Sequence, residues 1–302
     1  MTVRTAAVAP RGLRVWLLAA RPATLPAAVV PVIVGTAAAL HGQNQFQPGP
    51  FIAALVAALL IQIGTNFAND VFDFRRGADT PDRLGPPRVT QTGLVTPKQV
   101  LNATYLTFAL AALIGIYLVL EGGWFILLIG ALSIVAGLAY TGGPFPYGYH
   151  ALGDLLCFIF FGVLGVIGSA YLQTHTVTPL ALTASIPTGC LVTTILVVNN
   201  LRDIDTDRQV GKTTLAVLLG RGGTRAEYTI LLALAYVVPP ALWLLGQIGS
   251  WFWLPWLTLP LGGWLVRFVS TTQGRPLNQA LKRTGQLHLA FGLLFALALW
   301  LP

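Results

Sequence analysis

Charge is scarce in this 302-residue chain: 9% of its residues are Asp, Glu, Lys or Arg, where soluble domains carry roughly a quarter. Apolar residues make up 55%, and mean hydropathy is +0.72. Together these exclude an ordinary soluble enzyme, a disordered chain and a basic nucleic-acid binder, and point to a polytopic membrane protein. Cysteine is nearly absent. Cys157 and Cys190 lie in apolar runs, so they offer neither a disulfide framework nor metal-ligand spacing, and read as small core residues. His41, His150, His175 and His288 are scattered, which leaves zinc and a Ser-His-Asp arrangement without support. Only ten residues are acidic. Seven of those, Asp70, Asp73, Asp79, Asp82, Asp203, Asp205 and Asp207, fall in two short windows.

What is abundant is long apolar sequence. A spanning helix needs about 20 such residues, and nine segments meet or approach that length. They are Val15–Leu40, Phe51–Phe72, Val100–Leu120, Trp124–Tyr140, Leu152–Leu172, Leu180–Leu201, Tyr228–Leu245, Trp251–Val269 and Thr284–Leu301. The runs are continuous rather than alternating, which disfavours strands. The first is too long for a signal-peptide core and contains Arg21, Pro22, Pro26 and Pro31, so it reads as a retained membrane helix. The expected fold class is therefore all-α: one membrane domain over residues 1–302 with nine transmembrane helices.

Basic residues give the orientation. With nine spans, every Lys and Arg falls on one side. Arg4, Arg11, Arg14 and Arg21 precede or open the first span. Arg75, Arg76, Arg83, Arg88 and Lys98 follow the second, and Arg202, Arg208, Lys212, Arg221 and Arg225 follow the sixth. Arg267, Arg275, Lys282 and Arg283 lie around the end of the eighth. The positive-inside rule places that side, with the N-terminus, in the cytoplasm. Two long cytoplasmic loops are expected, from about Asp73 to Gln99 and from about Arg202 to Glu227, and long loops in compact architectures are often functional.

The acids lie where these loops begin. Asn66 stands four residues before Asp70 in "NFANDVFD", and Asn199 four before Asp203 in "NNLRDIDTD". Residues four apart share a helix face, so Asn66 and Asp70 align with Asp73 close by. If the sixth helix continues past Leu201, then Asn199, Asp203 and Asp207 form a second row. Asp205 points elsewhere. Such oxygen-only rows suit Mg²⁺, which takes few carboxylates and completes its shell with water and substrate phosphate oxygens. Arg75, Arg76, Arg83, Arg88, Arg202, Arg208 and Lys212 are placed to hold phosphate oxygens. Arg21, charged at the start of the first span, is a candidate for an acidic substrate group. A cation transporter is the alternative that intramembrane carboxylates raise, but these acids all sit at one membrane face.

The segments "NDVFDFRRGADTPDRLGPPRVTQTGLVTP", "YTGGPFPYGYHALGD" and "NNLRDIDTDRQVGKTTLAVLLG" resemble the UbiA superfamily of intramembrane prenyltransferases. Within it, they are most similar to the branch that acts on 1,4-dihydroxy-2-naphthoate, and "RPATLPAAVVPVIVG" extends the likeness to the first helix. The resemblance implies helices around a central cavity, Mg²⁺ and a polyprenyl diphosphate donor in the bilayer. It implies 1,4-dihydroxy-2-naphthoate as acceptor, with loss of CO₂ and formation of demethylmenaquinol. By motif position it makes Asn66, Asp70 and Asp73 the first metal and diphosphate set, and Asp203 and Asp207 the second. Asp79 stands six residues after Asp73, where the family's first motif often has an acid four residues on. Tyr140 and Tyr149, in the "YTGGPFPYGY" turn, are candidates to face substrate. Other acceptors within the superfamily are 4-hydroxybenzoate, homogentisate and haem.

Overall fold

The computed structural model describes residues 12–41, 46–80 and 82–301. Arg4 and Arg11, used above for orientation, lie outside the described residues. All regular structure among the described residues is helical apart from one isolated bridge between His150 and Thr213. The first expected span is broken. Helix α1 (Leu13–Ala20) ends at Arg21, whose left-handed φ of 51° leads into a 3₁₀ turn at Pro22–Thr24. Helix α2 (Pro26–Leu40) then leaves with a bend of 52°. Proline fixes its own φ and cannot donate a helix hydrogen bond, so Pro22 and Pro26 both open new helical segments.

Helix α3 (Pro48–Arg75) and helix α4 (Pro97–Ala139) follow. Helix α4 contains both the third and fourth expected spans, divided at Gly123, whose φ of 66° only glycine adopts freely. Thr96 and Gln99 cap its start reciprocally. Helices α5 (Gly153–Cys157) and α6 (Gly165–Thr174) are joined by a π-helical stretch at Phe158–Leu164. Helix α7 (Pro179–Gln209), helix α8 (Leu215–Leu244), a 3₁₀ run at Ser250–Thr258, helix α9 (Leu259–Thr271) and helix α10 (Leu277–Trp300) complete the chain. Five of these helical segments are long and apolar enough to cross a membrane, and the bent α1–α2 pair makes a sixth. The protein is thus an integral membrane protein. The eighth expected span is instead the 3₁₀ run followed by the short α9. The ninth begins earlier than expected, at Leu277, and carries Lys282 and Arg283 in its early turns.

The expected long loop from Arg202 to Glu227 is corrected by the structure. Helix α7 continues in regular geometry to Gln209, and α8 starts at Leu215, capped by the Thr214 hydroxyl, which accepts from the Val217 N–H. Only residues 210–214 separate them. The polar sequence that ended the apolar run is a helix end that buries Arg202, Asp203 and Asp207, not a loop. By contrast, residues 76–96 between α3 and α4 form a long connection, as expected.

Helix α7 is the buried centre. Of its most apolar stretch 78% is inside the protein, against 17% for α4. A helix apolar on all sides belongs in an interior or in lipid, and α4 turns Leu106, Leu110, Leu128 and Val135 outward. Close crossings rest on glycine. A Cβ at Gly162 would lie 2.4 Å from the Gly189 Cα, so the π-helical stretch and α7 meet backbone to backbone.

Contacts sort the helix ends into two groups. At one end the segments after α3, α4, α7 and α9 meet. Arg76 donates to the Thr141 and Gly143 carbonyls, the Ala151 N–H donates to the Thr213 carbonyl, and Asn278 Nδ2 donates to the Leu84 carbonyl. At the other, Gln47 and Gln173 exchange hydrogen bonds, and His41 Nδ1 meets the Leu299 carbonyl.

Candidate active site

A cavity of about 980 Å³ opens at the first of these ends. Its polar mouth carries Arg21, Asn66, Asp70, Asp73, Arg83, Arg88, Asn199, Arg202 and Lys212, while Ile61, Ile116, Leu120, Ile129, Phe160 and Phe161 belong to its apolar walls.

Helix α3 supplies the first row. Asn66 Nδ2 donates to the Ala20 carbonyl at 2.9 Å and to Thr24 Oγ1 at 3.1 Å, tying α3 to the bend before α2. One turn on, the two oxygens of Asp70 accept the Val89 and Thr90 backbone N–H groups at 3.1 and 3.0 Å. This carboxylate folds the 76–96 connection back over the cavity. Asp73 accepts from Tyr149 Oη at 2.8 Å and from Arg88 Nη2 at 2.9 Å. Asp79 joins the same group, with Arg83 Nη1 at 2.6 Å and Arg88 Nε at 3.4 Å. Burial outweighs the pull of Arg83 and lifts its carboxyl to about 7. Burial, with Asp73 beside it, also holds the Tyr149 hydroxyl well above its ordinary value, so it stays a donor.

Helix α7 supplies the second row. Arg202 is buried and grips both oxygens of Asp203 through Nε and Nη2. Its Nη2 also reaches Asn199 Oδ1 at 2.9 Å, and its Nη1 reaches Asn278 Oδ1 at 2.7 Å. Asp207 lies 3.4 Å from Lys212 Nζ. Burial works against the Lys212 charge, but Asp207, Asp73 and Asp203 together outweigh it and raise its pKa. Lys212 is thus the group on which both acidic rows converge. Its Nζ stands 5.6 Å from the Tyr149 ring centroid, and the Arg76 guanidinium 5.5 Å from it.

The residues singled out by sequence divide as follows. Asn66, Asp70, Asp73, Arg21, Arg88, Asn199, Arg202, Lys212 and Tyr140 line the cavity. Asp203 and Asp207 stand outside its wall, each represented there by its cation, Arg202 or Lys212. Tyr140 packs edge-on against Tyr147 at 5.3 Å, and Tyr149 reaches the site through Asp73. Arg75 is exposed at the end of α3 and does not line the cavity. Asp205 pairs with Arg221 at 2.6 Å on the exposed side of α7, as the helical spacing requires. Sequence reasoning missed Asn69, which lines the cavity and accepts from Thr141, and Asn278, which links Arg202 to the 76–96 connection. Asn69 was visible inside "NFAND"; nothing in the sequence marks Asn278, 76 residues from Arg202.

The donor chemistry is hard oxygen throughout, which suits Mg²⁺. No three Asp, Glu, His or Cys side chains among the described residues converge on one point. Mg²⁺ needs few protein ligands when phosphate oxygens complete its shell, and the site has room for that. The oxygens of Asp70 each use one lone pair on an N–H and keep the other. Asp207 Oδ2 is buried with no partner among the described residues.

The UbiA prenyltransferase family matches residues 28–287. The 1,4-dihydroxy-2-naphthoate octaprenyltransferase of Escherichia coli (strain K12) is 41% identical over 297 residues, covering 95% of each chain. The protein of that name from Mycobacterium tuberculosis (strain ATCC 25618 / H37Rv) is 44% identical over 225 residues, covering 74% of this chain and 76% of its own. The fold is also that of a UbiA homolog from Archaeoglobus fulgidus solved with GPP and Mg²⁺. Its TM-score is 0.66 at 15% identity, with 95% of this chain and 99% of that one covered. With a family match over most of its length and relatives well above 30% identical, the chain belongs to the UbiA prenyltransferase family.

Proposed function

We propose that this protein transfers a polyprenyl group from polyprenyl diphosphate to 1,4-dihydroxy-2-naphthoate. CO₂ is lost and demethylmenaquinol forms, a step of menaquinone biosynthesis. The observation that carries the reading is one cavity with two chemistries: acids and bases from two separate motifs at its mouth, and an apolar interior beyond. A diphosphate with a long hydrocarbon tail matches that division. The acceptor is argued from the relatives named for it. The reading includes one membrane domain over residues 1–302, nine spans with the N-terminus in the cytoplasm, and a bacterial plasma membrane. The cytoplasmic orientation is supported by the one-sided distribution of Lys and Arg.

In this reading Asn66, Asp70 and Asp73 form one ligand set and Asp203 and Asp207 the other. Their oxygens would hold Mg²⁺, which when bound would neutralise the diphosphate and stabilise the charge developing on it as a leaving group. Arg88, Arg202 and Lys212, at the wall, exchange part of their hold on Asp73, Asp203 and Asp207 for the arriving phosphate oxygens. The allylic carbon–oxygen bond breaks with its electron pair going to the diphosphate. The ring carbon that bears the acceptor carboxylate then bonds to the allylic carbon, and the bond from that carbon to the carboxylate breaks, its electron pair restoring the aromatic ring as CO₂ leaves. Tyr140 and Tyr147 present aromatic walls beside that point, where a π face stabilises a passing cation. The apolar walls exclude water that would capture it. Arg21 serves the acceptor carboxylate or the diphosphate, and Arg75, outside the cavity, has its place at the membrane surface.

Two variants test the ligand sets. Asp70→Asn and Asp203→Asn are each expected to lower Mg²⁺-dependent transfer to dihydroxynaphthoate by about 100-fold or more, the scale of losing a principal electrostatic contact. The protein should still elute as a single detergent-solubilised species. Wild-type rates in either variant would remove that residue from the assignment.

A further inference from the structure

We propose that Gln62 selects the aromatic acceptor by taking a hydrogen bond from one of its hydroxyls. This rests on the prenyl-transfer reading above. Gln62 lies one turn before Asn66 on α3 and two turns before Asp70, on the face that lines the cavity. At 1.5 Å per residue it stands about 6 Å deeper than Asn66 and about 12 Å deeper than Asp70 along the helix. That depth is beyond the diphosphate mouth, where the ring that attacks the allylic carbon must lie.

The hydrogen bonds around it fix which way its amide faces. The Thr24 hydroxyl donates its one hydrogen to the Arg21 carbonyl at 3.0 Å. Toward its other neighbours Thr24 can therefore only accept, and it does so from Asn66 Nδ2 at 3.1 Å and from Gln62 Nε2 at 3.2 Å. Gln62 must present its NH₂ to Thr24, which leaves Oε1 turned away. Gln62 is 8% exposed, and Oε1 is buried with no partner among the described residues. A buried carbonyl with nothing to accept from is costly to leave so, and it calls for a donor.

Chemistry decides which substrate brings one. The prenyl tail has no polar hydrogen, and the ionised diphosphate has only acceptor oxygens, which would repel Oε1. The acceptor carries hydroxyls on its ring. A site built to hydrogen-bond a substrate hydroxyl rejects an analogue that lacks it, because the protein group is then left unpaired. Arg21 adds a complementary group. Its Nη2 is also buried without a partner among the described residues, on the same cavity and tied through its own carbonyl to Thr24.

The test uses the full chain in detergent with Gln62→Met, which keeps length and loses the carbonyl, and Gln62→Asn, which keeps the carbonyl but draws it back by one methylene. KM is read separately for dihydroxynaphthoate and for geranylgeranyl diphosphate. Inhibition constants are read for 1-hydroxy- and 4-hydroxy-2-naphthoate. Gln62→Met is expected to raise the acceptor KM about tenfold, leave the donor KM within twofold and erase the wild-type preference for one monohydroxy compound over the other. Gln62→Asn is expected to fall between, and carries the test alone if Gln62→Met does not accumulate. The proposal is overturned if the wild type shows no such preference, if the preference survives or the acceptor KM is unchanged in Gln62→Met, the result for a carbonyl that holds only water, or if both KM values rise together, the result for a general structural role. Absence of any wild-type turnover with dihydroxynaphthoate would instead overturn the functional reading itself.

Discussion

A carboxyl lifted to about 7, as at Asp79, binds a proton more tightly in the folded protein than in the unfolded chain. Stability from that group is present below the ordinary carboxylate range, falls as pH rises through about 4 to 7, and is level above. Asp79→Asn, neutral throughout, is expected to flatten that slope in thermal unfolding between pH 4 and 8; an unchanged slope would assign it to other groups. Asp79 was also the acid whose spacing fitted the family motif poorly, and its contacts explain why. Six residues past Asp73, it reaches the site through Arg83 and Arg88 rather than from the helix face. Helical spacing did bring Asn66, Asp70 and Asp73 to one face, which lines the cavity, because α3 is regular through Arg75. It was silent on their partners. That Asp70 holds two backbone N–H groups 19 and 20 residues away depends on how the 76–96 connection returns, and no local pattern encodes such a return.

At the scale of elements, the most informative feature is where backbones touch. Gly162 lies in the π-helical stretch whose Phe160 and Phe161 line the cavity, and it sits against Gly189 of the buried α7. Gly162→Ala would place a methyl 2.4 Å from a backbone carbon. The helices must part, at a cost of about 1–3 kcal/mol. A melting temperature several degrees lower in detergent is expected, and an unchanged one would contradict this crossing. Apolar run length located most helices, since burial in lipid or protein demands it. It failed at two kinds of place. Helix α7 outlasts its apolar stretch because its polar end is satisfied by Arg202, Lys212 and Asn278. The region from Trp251 to Val269 is apolar enough, but its first half takes 3₁₀ geometry around Pro255, a choice hydropathy does not register.

For the molecule as a whole, scarcity of charge concentrates function. Helices that expose Leu106, Trp124, Val135 and Leu244 on the outside enclose a cavity whose charged groups all lie at one end. Acid and base neutralise each other there through Arg88–Asp73, Arg202–Asp203 and Lys212–Asp207, so the cluster is tolerable without substrate. Such a mouth suits the diphosphate of any prenyl donor, so its charges leave the acceptor undetermined. The acceptor therefore decides the account. Membranes bearing the protein should be given geranylgeranyl diphosphate, Mg²⁺ and, in separate reactions, 1,4-dihydroxy-2-naphthoate, 4-hydroxybenzoate and homogentisate. Prenylated product with dihydroxynaphthoate alone, and one CO₂ released per prenyl group transferred, is the expected result; no product with dihydroxynaphthoate, or product with 4-hydroxybenzoate in its place, would contradict it.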